Sequence, residues 1–421
     1  MKLRLLTFLA VLCVVSCTLG EYDFVNNRIP SDGPSKPSPS PEVEAEPFVP
    51  VISIDVKGGG GIESKEEYVK VNVTIQETED IVYSAAGRAK GRGNATWGYE
   101  KKPYKIKLDK KTSVFDMGKN KHWVLLANYM DESLMRNTMA YNLSGDMGME
   151  HMDTVWVDVI LNGKYVGNYQ FCEQVRVDET RVDIFDWEGL AEDSADVIAE
   201  AQGLDAGDLA DFMNENMEWI TTGKVVFEGK TYNIADYPEI EIPSINGGYL
   251  LELDGYYDEI SKFKTDAQQP IMFKSPEFVN TNDDMMEYVQ TYVQAFEDAV
   301  KSDDYMAKYE GEEVHYSDLY DFDALVDYWL INEVFFNEEI SKKSTYMYKG
   351  IDELMKMGPI WDMDWSSGGE GNTYKTDRWA TDYFVQGVQA DNWYRDLVKD
   401  PYFLLKAQKD IGKFVMIFKL C

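Results

Sequence analysis

Alternating apolar and polar residues dominate the first part of the sequence. The segments VISIDV, YVKVNVTI and KPYKIKLDK change polarity at every second position and predict three strands. Tyr104, Ile106 and Leu108 face one side of the third strand because side chains alternate along it. Lys105 and Lys107 therefore face the other side. The glycine-rich stretch GRAKGRGNATW comes before them, so a turn leads into a strand that displays two cations.

A helical period replaces this alternation further along the chain. Residues 131–145, DESLMRNTMAYNLSG, predict a helix with an acidic first turn. Residues 188–240 are acidic and rich in alanine, which predicts a helical insertion on the surface. Two later helices each carry an apolar stripe, formed by Val289, Tyr292, Val293, Phe296 and Val300 in one and by Phe322, Leu325, Val326, Trp329 and Leu330 in the other.

Between these segments lie further strand signals. Asn162 and Gly163 separate two apolar runs, and an Asn-Gly pair in this position is the strongest local indication of a hairpin. The stretches GGYLLELD and STYMYK predict two more strands. Strands and one helix thus precede a mainly helical part. We therefore expect an α+β domain of two lobes, strand-rich at the N-terminus and mainly helical at the C-terminus, with a cleft between them.

The first residues, MKLRLLTFLAVLCVVSC, have the basic start and short apolar run of an export signal. VVSC resembles a bacterial lipobox, so residues 1–20 are expected to be a signal peptide in which Cys17 becomes the lipidated terminus. In the alternative, ordinary cleavage near Gly20 discards Cys17. Residues 21–50 are rich in Pro, Ser and Glu and predict a tether, and residues 51–421 form the folded domain. The protein would then be exported and meet the cell envelope only through its lipid.

Charge and composition exclude several classes of function and site. The chain has 75 acidic and 41 basic residues, a net charge of −34, which disfavours binding to nucleic acid. Its three histidines have no metal-ligand spacing, so carboxylates must supply any acid or metal chemistry. Cys172 and Cys421 are far apart and have no spacing signature, so no disulfide framework is expected.

The stretch GPIWDMDWSSGG places two carboxylates one residue apart, after an apolar run and before a glycine turn. In an extended segment Asp362 and Asp364 would point to the same side, about 6.5 to 7 Å apart. Oxygen ligands of this kind suit Mg²⁺ or Mn²⁺. The alternative is an aspartate pair that only caps a turn.

Several stretches, taken in order, resemble the spore coat protein H (CotH) kinase-like family over roughly residues 51 to 400. They are RGNATW, KKPYKIKLDKK, HWVLLANYMDESLMRN, LNGKYVGNYQFCEQVRVDETRVDI, GGYLLELD, FKSPE, NEVFFNEE, STYMYK and GPIWDMDW. The resemblance implies an atypical protein-kinase-like fold that binds ATP and a divalent cation between two lobes. It also implies phosphorylation of proteins on serine or similar hydroxyls.

The resemblance assigns roles to five residues around the nucleotide. Asp362 corresponds to the metal-binding aspartate of the activation segment, with Asp364 as its neighbour or substitute. Lys107, or else Lys105, corresponds to the lysine that pairs with phosphate. Arg92 lies in the RGN turn over the nucleotide. The two lysines could instead belong to an ordinary solvated strand face.

Three further positions follow from the same resemblance. Asn94 also lies in the turn over the nucleotide, or it only stabilises that turn. Glu173 follows the hairpin and is expected near the nucleotide. Arg136 lies in the LxRN helix without an assigned role, and Arg136 and Glu173 could instead be a structural ion pair.

The chain departs from the family pattern in two places. In the loop NEEISKKS, Glu339 replaces the expected catalytic aspartate and Ser344 replaces a metal-binding asparagine. Glutamate is one methylene longer, and a misplacement of about 1 Å can cost on the order of a hundredfold in rate. At the end, WYRDL and DPYF match the family, but the closing DIGKFVMIFKLC does not, so we expect a last helix that is cut short.

Three functions remain open from the sequence. The first is an exported kinase that transfers phosphate from ATP to protein hydroxyls with Mg²⁺ or Mn²⁺. The second is a catalytically weak or inactive relative that acts as a surface binding or adhesion protein, favoured by Glu339 and the tether. The third is a carbohydrate-associated surface protein, based on ten tryptophans and 27 tyrosines.

Overall fold

Seven strands close into a barrel in the computed structural model of this protein. They are β1 (Val51–Val56), β2 (Val69–Gln76), β3 (Val82–Gly91), β4 (Tyr104–Ser113), β5 (Lys119–Leu126), β6 (Thr154–Leu161) and β7 (Lys164–Glu173). The order around the barrel is β1-β2-β3-β4-β5-β7-β6. Neighbours are antiparallel except for β1 and β6, which are parallel and close the barrel. The strands predicted from alternation are confirmed here.

The structure describes residues 48–368, 379–382 and 392–420, with side chains of the last helix only as far as residue 411. These residues belong to one unit, which begins at Phe48. The signal peptide with Cys17, nearly all of the tether, and Cys421 lie outside the described residues. Within the described ranges, no helix has the length and apolar character that a membrane span requires.

Inward-facing side chains fill the barrel. Ile106 and Leu108 of β4 are almost completely buried, and Tyr104 is buried beside them, as the alternation predicts. The hairpin prediction is also confirmed, since β6 and β7 meet at Asn162 and Gly163. Both residues have positive φ, 49° and 75°, as a two-residue type I′ turn requires.

The second part of the chain combines helices with a five-stranded sheet in the order β11-β12-β10-β15-β16. The sheet strands are β10 (Tyr249–Leu253), β11 (Lys262–Lys264), β12 (Pro270–Ser275), β15 (Thr345–Lys349) and β16 (Lys356–Met357). Two hairpins accompany it, formed by β8 (Lys224–Phe227) with β9 (Lys230–Asn233) and by β13 (Met306–Tyr309) with β14 (Glu312–His315).

Eight α-helices lie within the described residues. They are α1 (Arg136–Asp146), α2 (Trp187–Gln202), α3 (Ala206–Glu215), α4 (Trp219–Thr222), α5 (Asp283–Lys301), α6 (Phe322–Val334), α7 (Trp393–Leu397) and α8 (Pro401–Leu420). The helix predicted around Val289 is confirmed as α5, and all five residues of its apolar stripe are buried. The next predicted helix is α6, which is buried on almost every side. The protein is therefore α+β, as predicted.

The helix predicted for residues 131–145 begins later, at Arg136. The prediction of an acidic first turn is wrong, because the first turn of the helix contains no acidic residue. Asp131 lies before the helix, where its carboxylate accepts hydrogen bonds from the backbone N–H of Ser133 and of Arg136. These bonds stabilise a turn in place of helix, because a short acidic side chain competes with the helical pattern of backbone bonds.

The stretch from residue 188 to 240 differs from the predicted surface insertion. It is α-helical only as far as Thr222, and the hairpin of β8 and β9 and a short 3-10 helix, Ile234–Asp236, follow. Its apolar side chains pack in the main core, including Ile198, Leu209 and Trp219. Because alanine and small residues allow close helix packing, a composition that suggested surface exposure instead supports a buried face.

Two adjacent glycines allow the start of β10 to pass close to other backbone. A Cβ atom on Gly247 would lie 2.2 Å from the carbonyl oxygen of Gly350. On Gly248, which has a φ of +83°, it would lie 2.4 Å from the indole nitrogen of Trp187. The glycines therefore let β10 pack against the end of β15.

We predict that Gly247→Ala lowers the free energy of unfolding by about 1–3 kcal/mol, because backbone atoms on the opposite side cannot move away from the new methyl group. Urea unfolding followed by circular dichroism measures this loss. Gly98→Ala is the matched control, since a Cβ at Gly98 meets no atom within 4 Å. Equal stability of the two variants would contradict the proposed close contact.

Candidate functional site

A cavity of about 300 Å³ lies where the barrel meets the five-stranded sheet. It is lined by the turn after β3, the end of β5, α1, β10 with the loop after it, the loop before β15, and residues 361–365. This volume is at the lower end of the range for small-molecule sites. Several residues predicted from the sequence meet here, namely Arg92, Asn94, Glu339, Ser344, Asp362 and Asp364.

The two aspartates of the DMD stretch both line the cavity, but their segment is not extended. Asp362 has a φ of +60°, in the left-handed region, and Asp364 opens a turn. The separation expected for an extended strand therefore does not apply. The hydroxyl of Ser344 donates to a carboxylate oxygen of Asp362 at 3.2 Å, which joins the loop before β15 to this segment.

Helix α1 holds the backbone of this segment in place. The side-chain oxygen of Asn137 accepts a hydrogen bond from the N–H of Met363 at 2.7 Å. Arg136 donates to the carbonyl oxygen of Asp364 at 3.1 Å and forms an ion pair with Asp131 at 2.9 Å. Arg136 therefore acts on the cavity through the backbone of Asp364, within a structural ion pair.

The turn after β3 covers another side of the cavity. Gly93 has a φ of +78°, and a Cβ atom there would lie 2.0 Å from the hydroxyl of Thr96, so the tight turn requires glycine. The guanidinium of Arg92 lies 5.7 Å from the centre of the Trp361 ring. The side chain of Asn94 accepts a hydrogen bond from Lys65 at 3.3 Å.

Glu339 is buried in the cavity wall between two lysines. Its carboxylate lies 3.3 Å from the ammonium of Lys343 and 3.7 Å from that of Lys342. Burial raises the pKa of Glu339, and Asp362 adds to this rise, whereas the two lysines oppose it. The ammonium of Lys343 also lies 5.2 Å from the centre of the Tyr256 ring, at the mouth of the cavity.

The oxygen atoms of Asp362, Asp364 and Ser344 suit a hard divalent cation such as Mg²⁺ or Mn²⁺. Burial raises the pKa of Asp364, and so do the nearby carboxylates of Asp362 and Glu339. Within the described residues, however, no group of three or more His, Cys, Asp or Glu side chains could hold a metal ion. Magnesium is usually bound by one or two carboxylates together with substrate phosphates and water, so the donor set is compatible with it.

Three residues predicted to bind the nucleotide do not line the cavity: Lys105, Lys107 and Glu173. Glu173 is buried, forms an ion pair with Arg181 and accepts a hydrogen bond from the N–H of Asp153 at 2.8 Å. Glu173 is thus ion-paired, but not to Arg136 as the alternative had it, because Arg136 pairs with Asp131. No signal in the sequence identified Arg181 as its partner.

Lys105 is partly buried on β4. Within the described chain, no hydrogen bond or ion pair to its ammonium is found. Burial, and after it the surrounding cations Lys90, Arg176, Arg92 and Lys274, together lower the pKa of Lys105 to about 8. A partly buried ammonium among other cations favours an anion nearby.

The cavity also contains four residues that the sequence analysis did not identify: Glu252, Asp254, Glu259 and Lys274. The ammonium of Lys274 lies 3.2 Å from the carboxylate of Glu252 and also contacts Glu259. Asp254 accepts a hydrogen bond from the N–H of Ser344 at 3.3 Å. The signal was available, since both GGYLLELD and IMFKS place charged residues in otherwise apolar strands.

The family model of CotH kinase protein matches residues 89–410, which is most of the chain and includes every segment that lines the cavity. The chain belongs to the CotH kinase family. The resemblance found in the sequence is thereby confirmed. A comparison with curated proteins finds no match.

The unusual environment of Lys105 in this CotH kinase family member predicts a pH effect on stability. The pKa of Lys105 is lower in the folded state, so between about pH 8 and about pH 10.5 the unfolded chain binds more protons than the folded protein. The free energy of unfolding therefore rises with pH across this range. We predict that Lys105→Met raises the free energy of unfolding at pH 7 by about 2 kcal/mol and reduces this rise.

Chemical denaturation at several pH values measures the effect. Lys110→Met is the matched control, since Lys110 lies on the same strand with an exposed side chain. We expect a change within about 0.5 kcal/mol for this control. A Lys105→Met variant that is less stable than the control at pH 7 would show that the ammonium is not strained.

Proposed function

We propose that this protein is an ATP-dependent protein kinase that transfers the γ-phosphate to protein hydroxyls with Mg²⁺ or Mn²⁺. One observation carries the proposal: the oxygens of Asp362, Asp364 and Ser344 share a cavity with Arg92 and the glycine turn after β3. Phosphoryl transfer needs carboxylates for a cation and cationic or backbone groups for the phosphates. Both groups line this cavity.

Each wall has a distinct task in the proposed reaction. Arg92 and the backbone of the turn at Gly93 would bind the nucleotide phosphates. Asp362, Asp364 and Ser344 would hold the divalent cation, which neutralises charge on the transferred group when it is bound. We place the nucleotide between the barrel and the five-stranded sheet, as in a two-lobed kinase. Family membership supports this arrangement.

Glu339 would orient the acceptor hydroxyl. In the transfer step the acceptor oxygen bonds to the γ-phosphorus, the bond from that phosphorus to the β,γ-bridging oxygen breaks, and the hydroxyl proton passes to the carboxylate. Lys342 and Lys343 restrain the side chain of Glu339 through their ion pairs. The longer glutamate could then be directed by its neighbours, although it starts one methylene farther from the backbone.

The same ion pairs favour a second candidate function, an inactive or weak kinase-like protein that acts in binding or adhesion at the cell surface. The two ammonium groups oppose the rise in pKa that burial causes, so Glu339 is a weaker proton acceptor than a buried carboxylate without them. For the carbohydrate alternative, the structure offers less support, since Trp123, Trp187, Trp329 and Trp393 are all fully buried.

We predict that the folded domain, incubated with γ-labelled ATP and Mg²⁺ or Mn²⁺, incorporates phosphate into a protein acceptor or into itself. Asp362→Asn should reduce incorporation by about a hundredfold or more, because a charged ligand for the cation is lost. Glu339→Asp should increase it if the extra methylene is a handicap. Asp193→Asn, on the exposed side of α2, is the control and should match the wild type.

Incorporation by the wild type that persists in Asp362→Asn would contradict the proposed site. A wild type that shows no incorporation and no thermal stabilisation by ATP would favour the binding function. Thermal stabilisation is a sensitive test, since ligand at a hundredfold excess over its dissociation constant adds about 2.7 kcal/mol to stability.

We also propose that the protein is exported and anchored by a lipid on Cys17, with the tether holding the domain off the membrane. The basic and apolar start followed by VVSC supports this proposal. We predict that the full chain, expressed in bacteria with labelled palmitate, becomes labelled and fractionates with membranes.

Cys17→Ser should abolish both the label and the membrane association, because the acylated thiol is lost. Cys13→Ser removes a nearby cysteine inside the apolar run and serves as the matched control. Equal labelling of the two variants would contradict lipidation at Cys17.

A further inference from the structure

Lys274 is the cation that reaches the cavity from the five-stranded sheet. It lies on β12 and lines the same cavity as the turn after β3. Its ammonium contacts two carboxylates, Glu252 on the neighbouring strand β10 and Glu259 in the loop after that strand. Burial lowers the pKa of Lys274, but these two carboxylates raise it more, so the side chain stays charged.

The two carboxylates around Lys274 differ in how firmly they are placed. The side chain of Glu252 is only 9% exposed and lies in the middle of a sheet, so Glu252 is a fixed partner. The side chain of Glu259 is 30% exposed. Its loop carries exposed apolar residues at Tyr256, 48% exposed, and Ile260, 55% exposed. An ion pair with such an exposed partner contributes little, about 1 kcal/mol or less.

We propose that Lys274 binds a phosphate group of the nucleotide, that Glu252 positions its ammonium, and that Glu259 occupies the phosphate position until the nucleotide displaces it. This proposal rests on the proposed function of the cavity. It assigns the phosphate-pairing lysine to Lys274, which lines the cavity, in preference to Lys105 and Lys107, which do not.

The chemistry explains why one ammonium has two carboxylate neighbours. A lysine ammonium has three donors, and a buried glutamate that fixes it leaves donors for a second acceptor. In the described structure Glu259 accepts from the ammonium at that position. A phosphate oxygen is a comparable anionic acceptor, so it would replace the Glu259 carboxylate on the same donor. The loop after β10 therefore acts as a competing internal ligand.

The proposal predicts nucleotide affinities that change in opposite directions. Lys274→Met should weaken binding of ATP with Mg²⁺ by about thirtyfold, the loss expected for a charge-assisted hydrogen bond. Glu259→Gln should tighten it by about fivefold, because the competing ion pair no longer has to be broken. Isothermal titration calorimetry of the folded domain measures both changes without requiring catalytic activity.

Each variant has a matched control. Lys262→Met removes the same charge from the adjacent strand β11, where Lys262 donates to the carbonyl of Tyr257. Asp258→Asn removes the same charge from the same loop as Glu259, and Asp258 also lines the cavity. Lys262→Met should bind like the wild type. Equal tightening in Asp258→Asn and Glu259→Gln would show a general charge effect and would overturn the role of Glu259.

A double variant separates direct competition from other effects. If Glu259 acts only through Lys274, the tightening caused by Glu259→Gln should vanish in the Lys274→Met background. Lys274→Met leaves the buried Glu252 without its cation, so the same titration is repeated with Lys274→Met combined with Glu252→Gln. Circular dichroism verifies that each variant is folded.

The outcomes distinguish the assignment of Lys274 from the proposed kinase function. If the wild type binds ATP, Asp362→Asn changes the Mg²⁺ dependence, and folded Lys274 variants bind like the wild type, then the assignment of Lys274 is overturned while the kinase proposal stands. If the wild type does not bind ATP at all, both proposals are overturned. Opposite changes in Lys274→Met and Glu259→Gln, lost in the double variant, would establish the assignment.

Discussion

The candidate site depends on two hydrogen bonds between side chains of helix α1 and the backbone of Met363 and Asp364, which form part of the segment that lines the cavity. Residues 358–363 follow the short strand β16 and lie outside any helix or strand, so no ladder of backbone bonds fixes them. The hydrogen bonds from Met363 to Asn137 and from Arg136 to Asp364 take over that role. Bonds of this kind contribute about 0.5–3 kcal/mol each, more when one partner is charged.

These hydrogen bonds help the segments around the cavity to keep strained backbone conformations and crowded carboxylates. Ser341, Ser344 and Asp362 all have positive φ, between 47° and 60°, within the two segments that meet at the cavity. Such conformations cost about 1–3 kcal/mol each for residues other than glycine and persist where the surroundings fix them. Carboxylates are also crowded together there. Both features lower stability, and destabilising features of this kind are a common compromise at functional sites.

Local patterns in the sequence predicted the elements well, and they failed where partners are distant. The alternation in β4 and the Asn-Gly turn depend on neighbouring residues, so both were predicted correctly. The predicted start of α1 was wrong because the Asp131 carboxylate accepts a hydrogen bond from the N–H of Arg136 in a turn before the helix. The spacing of apolar residues does not reveal such a turn. Residue spacing indicated that Lys105 faces away from the barrel core. Whether its side chain reaches the cavity depends instead on how the barrel packs against the five-stranded sheet, which residue spacing does not reveal.

The cavity could be predicted only in outline for the same reason. The resemblance brought Arg92, Glu339 and the two aspartates to one site, since it carries information about long-range contacts. Lys274 and Glu252 were missed because their contact depends on the register of β10 against β12, in which Glu252 pairs with Met272. That register is set by packing across the whole sheet.

The parallel pairing of β1 with β6 also has a consequence for the order of folding. Strands β2 to β5 join neighbours that are close in the chain, whereas Val51 must find Asp158 on a strand that follows α1. Bringing such distant strands together carries a larger entropic cost, so this pair is expected to form late. Until then β1 and β6 expose unpaired edges that can join other chains. A chaperone that shields the first strand would therefore protect the protein during the interval in which its barrel is still open.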